Sequence, residues 1–170
     1  KPTNEIIEKL VDIVSKGGNY LLNIGPGPEG ELDAVAYQRL KEIGSWMKIN
    51  AEAIYGTRMF SVFGEGDNIR FTQTKDGRTK YIFLFNFPKD KISVSKIVFT
   101  KKTKLQLLGS KSRIGWKQNN NEVEISIPAS AQAAPARSSQ RPNSVTRSTS
   151  SSATATISGC SWPSAGEWWL

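Results

Sequence analysis

Glu29 and Glu31 are the side chains of this sequence whose type and spacing come nearest to a reactive group. Carboxyl groups are common general acids and bases, and these two flank a loop rich in Gly and Pro, GPGPEG at 25–30. Two loop acids without a further partner do not make a catalytic site, so a loop-capping or surface role is favoured for both. We therefore expect no catalytic residue in this chain.

Several kinds of chemistry are excluded by the residues that the sequence lacks. Histidine is absent, which removes the usual general base and the Ser-His and Cys-His nucleophile pairs. Cys160 is the single cysteine, so an internal disulfide is excluded and one thiol cannot build a metal site. Pro26 and Pro28 remove backbone donors from the glycine-rich loop, which is therefore no phosphate cradle. We expect no cofactor and no metal.

The net charge of +8 permits contact with nucleic acid or an anionic surface, but its distribution favours neither. One local cluster, Lys101, Lys102 and Lys104, suits a strand edge guarded by lysines. The arginines after Ser130 are too few and too dispersed for a nucleic-acid arm. No apolar run approaches the roughly 18 residues of a membrane span. Neither nucleic acid nor membrane is therefore expected as a partner, and the oligomeric state stays open.

The first third of the chain has helical periodicity. Thr3 or Asn4 can cap a first helix, which the pair Gly17-Gly18 ends, and a second helix is predicted over 33–48. Apolar side chains fall on one face of each helix: Ile6, Ile7, Leu10, Val11 and Val14 in the first, and Ala36, Leu40, Ile43 and Met47 in the second. Each helix therefore has one side that must be buried against another layer.

Between the two helices lies the nearly continuous apolar run 20–24, which predicts a parallel strand covered on both faces. Helix, buried strand, loop and helix form the repeating unit of an α/β barrel. We therefore predict that 1–57 is the C-terminal end of a (β/α)8-type barrel, and we expect the rest of the barrel to precede Lys1.

From about Arg58 the period of the apolar residues changes to two. Short β-branched and aromatic runs are separated by turn sequences, at 69–74, 81–87, 92–99, 104–108 and 122–127. Because no helix lies between them, they predict a small antiparallel β-sandwich over 58–130. In the last run Val123, Ile125 and Ile127 alternate with polar residues, so this strand is expected to have one buried and one wet face.

The pattern disappears after Ser130. Residues 131–170 are rich in Ala, Ser, Thr, Pro and Arg, and such a segment cannot bury enough apolar surface to offset its ordering entropy. We expect a disordered tail, which is either a linker or an aberrant sequence, out of frame or fused. The predicted fold class is an α+β fragment: the last strand and flanking helices of the barrel, the sandwich without its closing strand, and this tail.

Three blocks of the sequence, in this order, resemble the family 29 glycoside hydrolases, the α-L-fucosidases. They are LVDIVSKGGNYLLNIGP at 10–26, RLKEIGSW at 39–46 and EAIYGTR at 52–58. The predicted sandwich is similar to the C-terminal β-domain of that family, and the resemblance extends over roughly 3–130. It implies retaining hydrolysis of terminal α-L-fucose by two carboxyl groups, one a nucleophile and the other an acid and then a base.

The residues that carry this chemistry in the family lie on earlier barrel strands, and none of them maps onto this chain. Asn23, Gly25, Pro26 and Glu29 are the only substrate-binding candidates, at the rim that follows strand 20–24. A structural role is favoured for them, with Asn23 satisfying barrel backbone groups and Gly25 permitting a tight turn.

Other residues that could serve a sugar site are interpreted as structural. The carboxyl groups of Asp12, Glu42, Glu122 and Glu124 are expected to be solvated surface groups. Trp46 and Trp116 are expected to be core residues rather than sugar platforms.

The resemblance implies that the chain is a C-terminal piece of an enzyme that acts on fucosylated glycans and is inactive by itself. It also implies a secreted or periplasmic location, or a lysosomal one in a eukaryote. The alternative is a stand-alone carbohydrate-binding β-module without catalysis. In the isolated chain, the two helices lack the barrel strands that would cover them, so we expect this part to be aggregation-prone or fluid.

Overall fold

The computed structural model describes residues 1–88, 90–112, 114–127, 146–147 and 154–159. The elements of these residues are α1 (Thr3–Ser15), α2 (Ala34–Asn50) with a 3-10 turn (Ala51–Ala53), β1 (Thr57–Glu65), β2 (Ile69–Thr74), β3 (Thr79–Leu84), β4 (Lys91–Val94), β5 (Leu105–Leu107), β6 (Gly115–Asn119), β7 (Glu122–Ser126), β8 (Thr146–Arg147) and β9 (Thr154–Gly159). The helices come first and the strands follow, as the change of period predicts.

Helix α1 has the predicted end but a different start. Pro2 is the N-cap residue, and no side chain caps the helix, so the prediction of a Thr3 or Asn4 cap is wrong. Thr3 lies in the first turn and is buried instead. The glycine stop is confirmed, because Gly17 has φ +81° and the N–H of Gly18 donates to the carbonyl of Ile13 at 2.9 Å.

Helix α2 begins after Asp33, whose carboxylate accepts the N–H of Ala36 at 2.7 Å. Its predicted apolar stripe is only partly buried: Ile43 and Met47 pack against a core, whereas Leu40 is 39% exposed. The residue that anchors the helix is Trp46, which is completely buried.

The predicted strand over 20–24 is not formed. These residues have no regular secondary structure, and Leu21 is 82% exposed. A strand needs at least one hydrogen-bonding neighbour, and the described part of the chain supplies none there. The prediction of a strand over 20–24 is therefore wrong for the described structure.

Two sheets form the predicted sandwich. The larger has the strand order β1-β2-β3-β8-β5-β9, with an additional β3–β9 pairing, and the smaller is antiparallel with the order β4-β7-β6. The apolar core between them contains Ile69, Phe71, Ile82, Leu84, Val94, Ile97, Phe99, Leu105, Leu107, Ile114, Val123, Ile125 and Ile127. The alternation in β7 is confirmed, because Val123 and Ile125 are completely buried and Glu122 is exposed.

Strand lengths were predicted less well than the sheet itself. Strand β2 has the predicted bounds, but β4 ends at Val94 rather than extending to 99. The carboxylate of Glu65 accepts the N–H groups of Ser95 and Lys96, at 2.9 and 3.3 Å, and so takes these donors out of the ladder. Strands β1 and β6 were not among the predicted runs, because most of their side chains are exposed and neither alternates cleanly.

The expectation of a disordered tail is wrong at two places. Strand β9 pairs in parallel with β3 and β5, and the two residues of β8 pair antiparallel with the same strands. Strand β3 has backbone groups to pair on the side away from β2, and the Thr-Ala-Thr-Ile sequence of β9 suits a strand. The rest of 131–170, including Cys160, lies outside the described residues.

A second core joins the helices to the sandwich. It contains Ile7, Val11, Trp46, Ala53, Ile54, Tyr81, Phe83 and Leu108. Tyr81 and Phe83 lie on the face of β3 opposite to Ile82 and Leu84, so this strand is buried on both sides. The outer face of the sheet therefore covers one side of α1 and receives Trp46 of α2, and no barrel strand covers the helices among the described residues.

One ion pair fixes α1 on the sheet. Asp12, predicted to be a solvated surface group, binds Arg70 of β2 (Nε to Oδ1 2.6 Å) and Lys16 of its own helix (Nζ to Oδ2 2.7 Å). The Arg70 guanidinium also lies over the rings of Phe85 and Phe63, 5.1 and 5.6 Å from their centres. The side chains of Arg70 and Asp12 are 12% and 29% exposed, so the pair is partly shielded from water.

Replacement of Asp12 by Asn is expected to lower the free energy of unfolding by about 1–2 kcal/mol, because Arg70 loses its charged partner in a mostly buried place. Chemical denaturation followed by tryptophan fluorescence measures this change. The control, Lys16→Ala, removes the more exposed partner and is expected to cost at most about 0.5 kcal/mol. Equal losses in the two variants would contradict the assignment.

The same carboxylate predicts a pH dependence. Burial raises the pKa of Asp12, but the hydrogen bonds and charges of Lys16 and Arg70 outweigh it and leave the pKa below its ordinary value. A lowered folded-state pKa contributes stability above the unfolded value of about 3.9, and this is lost as the pH falls through the folded value. The stability difference between the wild type and Asp12→Asn should therefore shrink below about pH 4. A difference that stays constant down to pH 2 would argue against an ionised pair.

Candidate functional site

The side of the helices that faces away from the sheet is an open groove. It has a volume of about 660 Å³ and lies between α1, residues 20–24 and the start of α2. Apolar side chains from all three segments line it, among them Ile6, Leu21, Leu22, Ala36 and Leu40. Leu21 and Leu40 are exposed there, and the charged residues Lys9, Asp33 and Arg39 also line the groove.

The rim loop, residues 23–31, follows this groove along the chain. The four sequence-predicted candidates, Asn23, Gly25, Pro26 and Glu29, are all exposed on it. Asn23 also lines the groove. A Cβ at Gly25 would meet no atom within 4 Å, and Gly25 is not among the residues with positive φ, so the expected tight turn does not depend on it.

The turn lies further along the rim loop, at residues 27–31. The N–H of Gly27 donates to the carbonyl of Glu31 at 2.7 Å, and the N–H of Gly30 donates to the carbonyl of Gly27 at 3.0 Å. Gly30 adopts φ +86°, a conformation that favours glycine. The carboxylate of Glu31 accepts the N–H of Glu29 at 3.1 Å, which is the loop-capping role expected from the sequence.

Two further acidic candidates, Glu42 and Glu124, have structural partners, whereas Glu122 is exposed as predicted. Glu42 accepts hydrogen bonds from Thr3 of α1, from Gln38 at 2.7 Å and from Arg39 at 3.3 Å, so it ties the two helices together rather than facing solvent as predicted. Burial raises the pKa of Glu42, but these bonds and the Arg39 charge lower it below its ordinary value. Glu124 pairs with Lys91 at 3.0 Å.

Among the described residues, these contacts bring no two carboxyl groups together as a catalytic pair. None of the hydrogen bonds described above joins two carboxyl groups. Three or more His, Cys, Asp or Glu side chains do not come together as a possible metal site anywhere in the part of the chain that the structure describes. Within the same residues, no helix has the length and apolar character needed to cross a membrane.

The two tryptophans considered as sugar platforms are packing residues. Trp46 is completely buried in the core shared by the helices and β3. Trp116 packs edge-on against Phe99, with ring centres 5.1 Å apart, and its indole N–H donates to the carbonyl of Thr103 at 3.3 Å. The core interpretation of Trp46 and Trp116 is confirmed.

Sequence reasoning missed two contacts that matter for this region. Arg70 and Asp12 are 58 positions apart, and nothing in a single sequence links two such residues. The pairing of Gly27 with Glu31, four positions apart, is local and could have been found from the loop composition.

Comparison with known proteins places both halves of the chain in one group. Residues 1–52 match the family described as alpha-L-fucosidase, and residues 65–139 match the alpha-L-fucosidase C-terminal domain. The second match continues beyond Ser130, where the resemblance was expected to end.

Individual proteins similar to this chain are also alpha-fucosidases. Tissue alpha-L-fucosidase of Mus musculus is 39% identical over 127 residues, which are 74% of this chain and 28% of the mouse protein. The Thermotoga maritima alpha-fucosidase structure has a TM-score of 0.70 and 27% identity, and the match covers 79% of this chain and 32% of that one. A GH29 alpha-L-fucosidase of Bacteroides thetaiotaomicron, trapped as a covalent intermediate, has a TM-score of 0.64 and 28% identity, with coverage of 75% and 29%. The chain therefore spans less than a third of the length of these relatives.

The exposure of the groove predicts how its residues contribute to stability in this chain. Leu21→Ala is expected to change the free energy of unfolding by no more than about 0.5 kcal/mol, because the side chain is already in water. Ile7→Ala, from the completely buried face of the neighbouring helix, is expected to cost about 2–5 kcal/mol. Urea denaturation of both variants measures the contrast. A large loss for Leu21→Ala would mean that 20–24 is packed after all.

Proposed function

The chain belongs to the α-L-fucosidase family, and we propose that it is the C-terminal part of a retaining α-L-fucosidase. Residues 1–57 are the end of the catalytic barrel, 58–130 the C-terminal β-domain, and 131–170 a tail without a part in catalysis. The observation that carries the proposal is the open, mainly apolar groove on the helices. The earlier part of a barrel covers this groove and supplies the neighbours with which 20–24 forms its strand.

The chemistry of this enzyme comes from carboxyl groups outside the chain. A retaining glycosidase needs a nucleophile and an acid/base about 5–5.5 Å apart. Among the described residues, the carboxylates of Asp12, Glu31, Glu42 and Glu124 are held in structural bonds instead. The covalent intermediate trapped in the Bacteroides relative supports the retaining course. Asn23, Gly25, Pro26 and Glu29 then lie at the C-terminal end of a barrel strand, where substrate is bound.

The substrate follows from the family. The enzyme removes terminal α-L-fucose from glycoconjugates or oligosaccharides, without a cofactor, and acts where such glycans are found. A secreted or periplasmic location, or a lysosomal one in a eukaryote, fits this substrate.

One observation favours a second candidate, a carbohydrate-binding β-module. The packing of α1 on β3 closes a core without any barrel strand, so this chain can be a folded unit by itself. A binding module would retain fucosylated glycans without hydrolysing them, which separates it from the enzyme by assay.

The test compares this chain with the complete protein, made by joining it to the barrel sequence that precedes it. The complete protein is expected to release the chromophore from an aryl α-L-fucoside, and the chain alone is expected to show no release above buffer, because it lacks the paired carboxyl groups. Inactivity of the complete protein would contradict the proposal, and glycan retention by the chain alone would then favour the module. Activity of the chain alone that is lost in Glu29→Gln would make the rim loop catalytic.

A further inference from the structure

We infer that Glu31 is a positioning residue of the proposed active-site rim: its carboxylate closes the turn 27–31 and so holds the preceding rim residues in place for the sugar. The inference rests on the proposed function, because the rim borders a fucoside site only in the complete barrel. It assigns no role in the chemical step to Glu31.

The turn at 27–31 is closed by bonds within itself. Three hydrogen bonds close it: two between backbone groups, at 2.7 and 3.0 Å, and one from the Glu29 N–H to Oε2 of Glu31, at 3.1 Å. The last of these is charge-assisted, which makes it stronger than a bond between neutral groups. It is also the one bond of the three that a side-chain substitution removes.

Flexibility of the loop explains why such a bond matters. Pro26 and Pro28 have fixed φ angles, whereas Gly27 and Gly30 are the most permissive residues of the turn. The Glu31 carboxylate packs directly on Gly27, so that a Cβ at Gly27 would overlap Oε1. Glu31 therefore restrains the loop at the glycine where the restraint is most needed.

The turn at 27–31 lies next to the residues that are proposed to border the substrate, so its order affects them. Along the chain, only Pro26 lies between this turn and Gly25. In the proposed barrel, Gly25 and Asn23 lie at the catalytic face. A loop that is ordered before binding spares the substrate the entropic cost of ordering it. Loss of the restraint is therefore expected to weaken substrate binding while leaving the chemical step unchanged.

The experiment measures kcat and KM of the complete protein with an aryl α-L-fucoside. Glu31→Ala is expected to raise KM about three- to tenfold with kcat within about twofold, the size of a loop-ordering cost. Glu31→Gln keeps an acceptor oxygen and is expected to restore most of the loss. Glu122→Ala, which removes an exposed carboxylate of β7, is the control for the change of charge.

Gly27→Ala provides an independent perturbation of the same contact. Gly27 is not in the positive-φ region, so alanine strains no backbone angle there and acts by displacing the Glu31 carboxylate. This variant is expected to reproduce the KM of Glu31→Ala, and the double variant should be no worse than either single one. Unchanged KM in Glu31→Ala, a fall in kcat instead, or additive effects in the double variant would overturn the inference.

Amide hydrogen exchange separates this inference from the proposed function. In the chain alone, Glu31→Ala is expected to speed exchange of the Glu29 amide several-fold and to leave amides of β3 unchanged. Slow Glu29 exchange in the variant would refute the closing role of Glu31 even in a fully active enzyme. Faster exchange together with an inactive complete protein would refute the proposed function and, with it, the role of the rim in sugar binding.

Discussion

Strand β3 is buried on both of its faces, and the position of every other layer depends on it. Side chains alternate along a strand, so Ile82 and Leu84 fill the sandwich while Tyr81 and Phe83 contact the helices. Each such side chain contributes about 1.5–3 kcal/mol when it is fully removed from water. Because one strand serves both cores, the helices and the sandwich stabilise one another rather than folding as independent parts.

Apolar burial alone would not fix where α1 lies along the sheet, because it has no direction. Directional bonds at two points supply that information. Arg70 of β2 reaches Asp12 near the end of α1, and the hydroxyl of Thr72, on the same strand, donates to the carbonyl of Ala53 at 3.0 Å. Both bonds are made by β2, so they fix α1 and the 3-10 turn in one position along the same strand.

The sequence predicts those features that local rules determine. The glycine stop of α1, the Asp33 start of α2 and the bounds of β2 follow from residues within a few positions of each. The contacts that position the helices join residues far apart in sequence, so no local pattern predicts them. Strand β1 was missed for a related reason: it is an edge strand with a register shift between Met59 and Gly64, so its side chains do not alternate cleanly.

The same distinction explains the contrast between residues 20–24 and the turn that follows them. The apolar run has the composition of a strand but needs hydrogen-bonding neighbours, so it has no regular structure where those neighbours are not among the described residues. The turn at 27–31 draws all three of its bonds from within itself and is closed without them. The shape of the turn at 27–31 therefore does not depend on the pairing of residues 20–24.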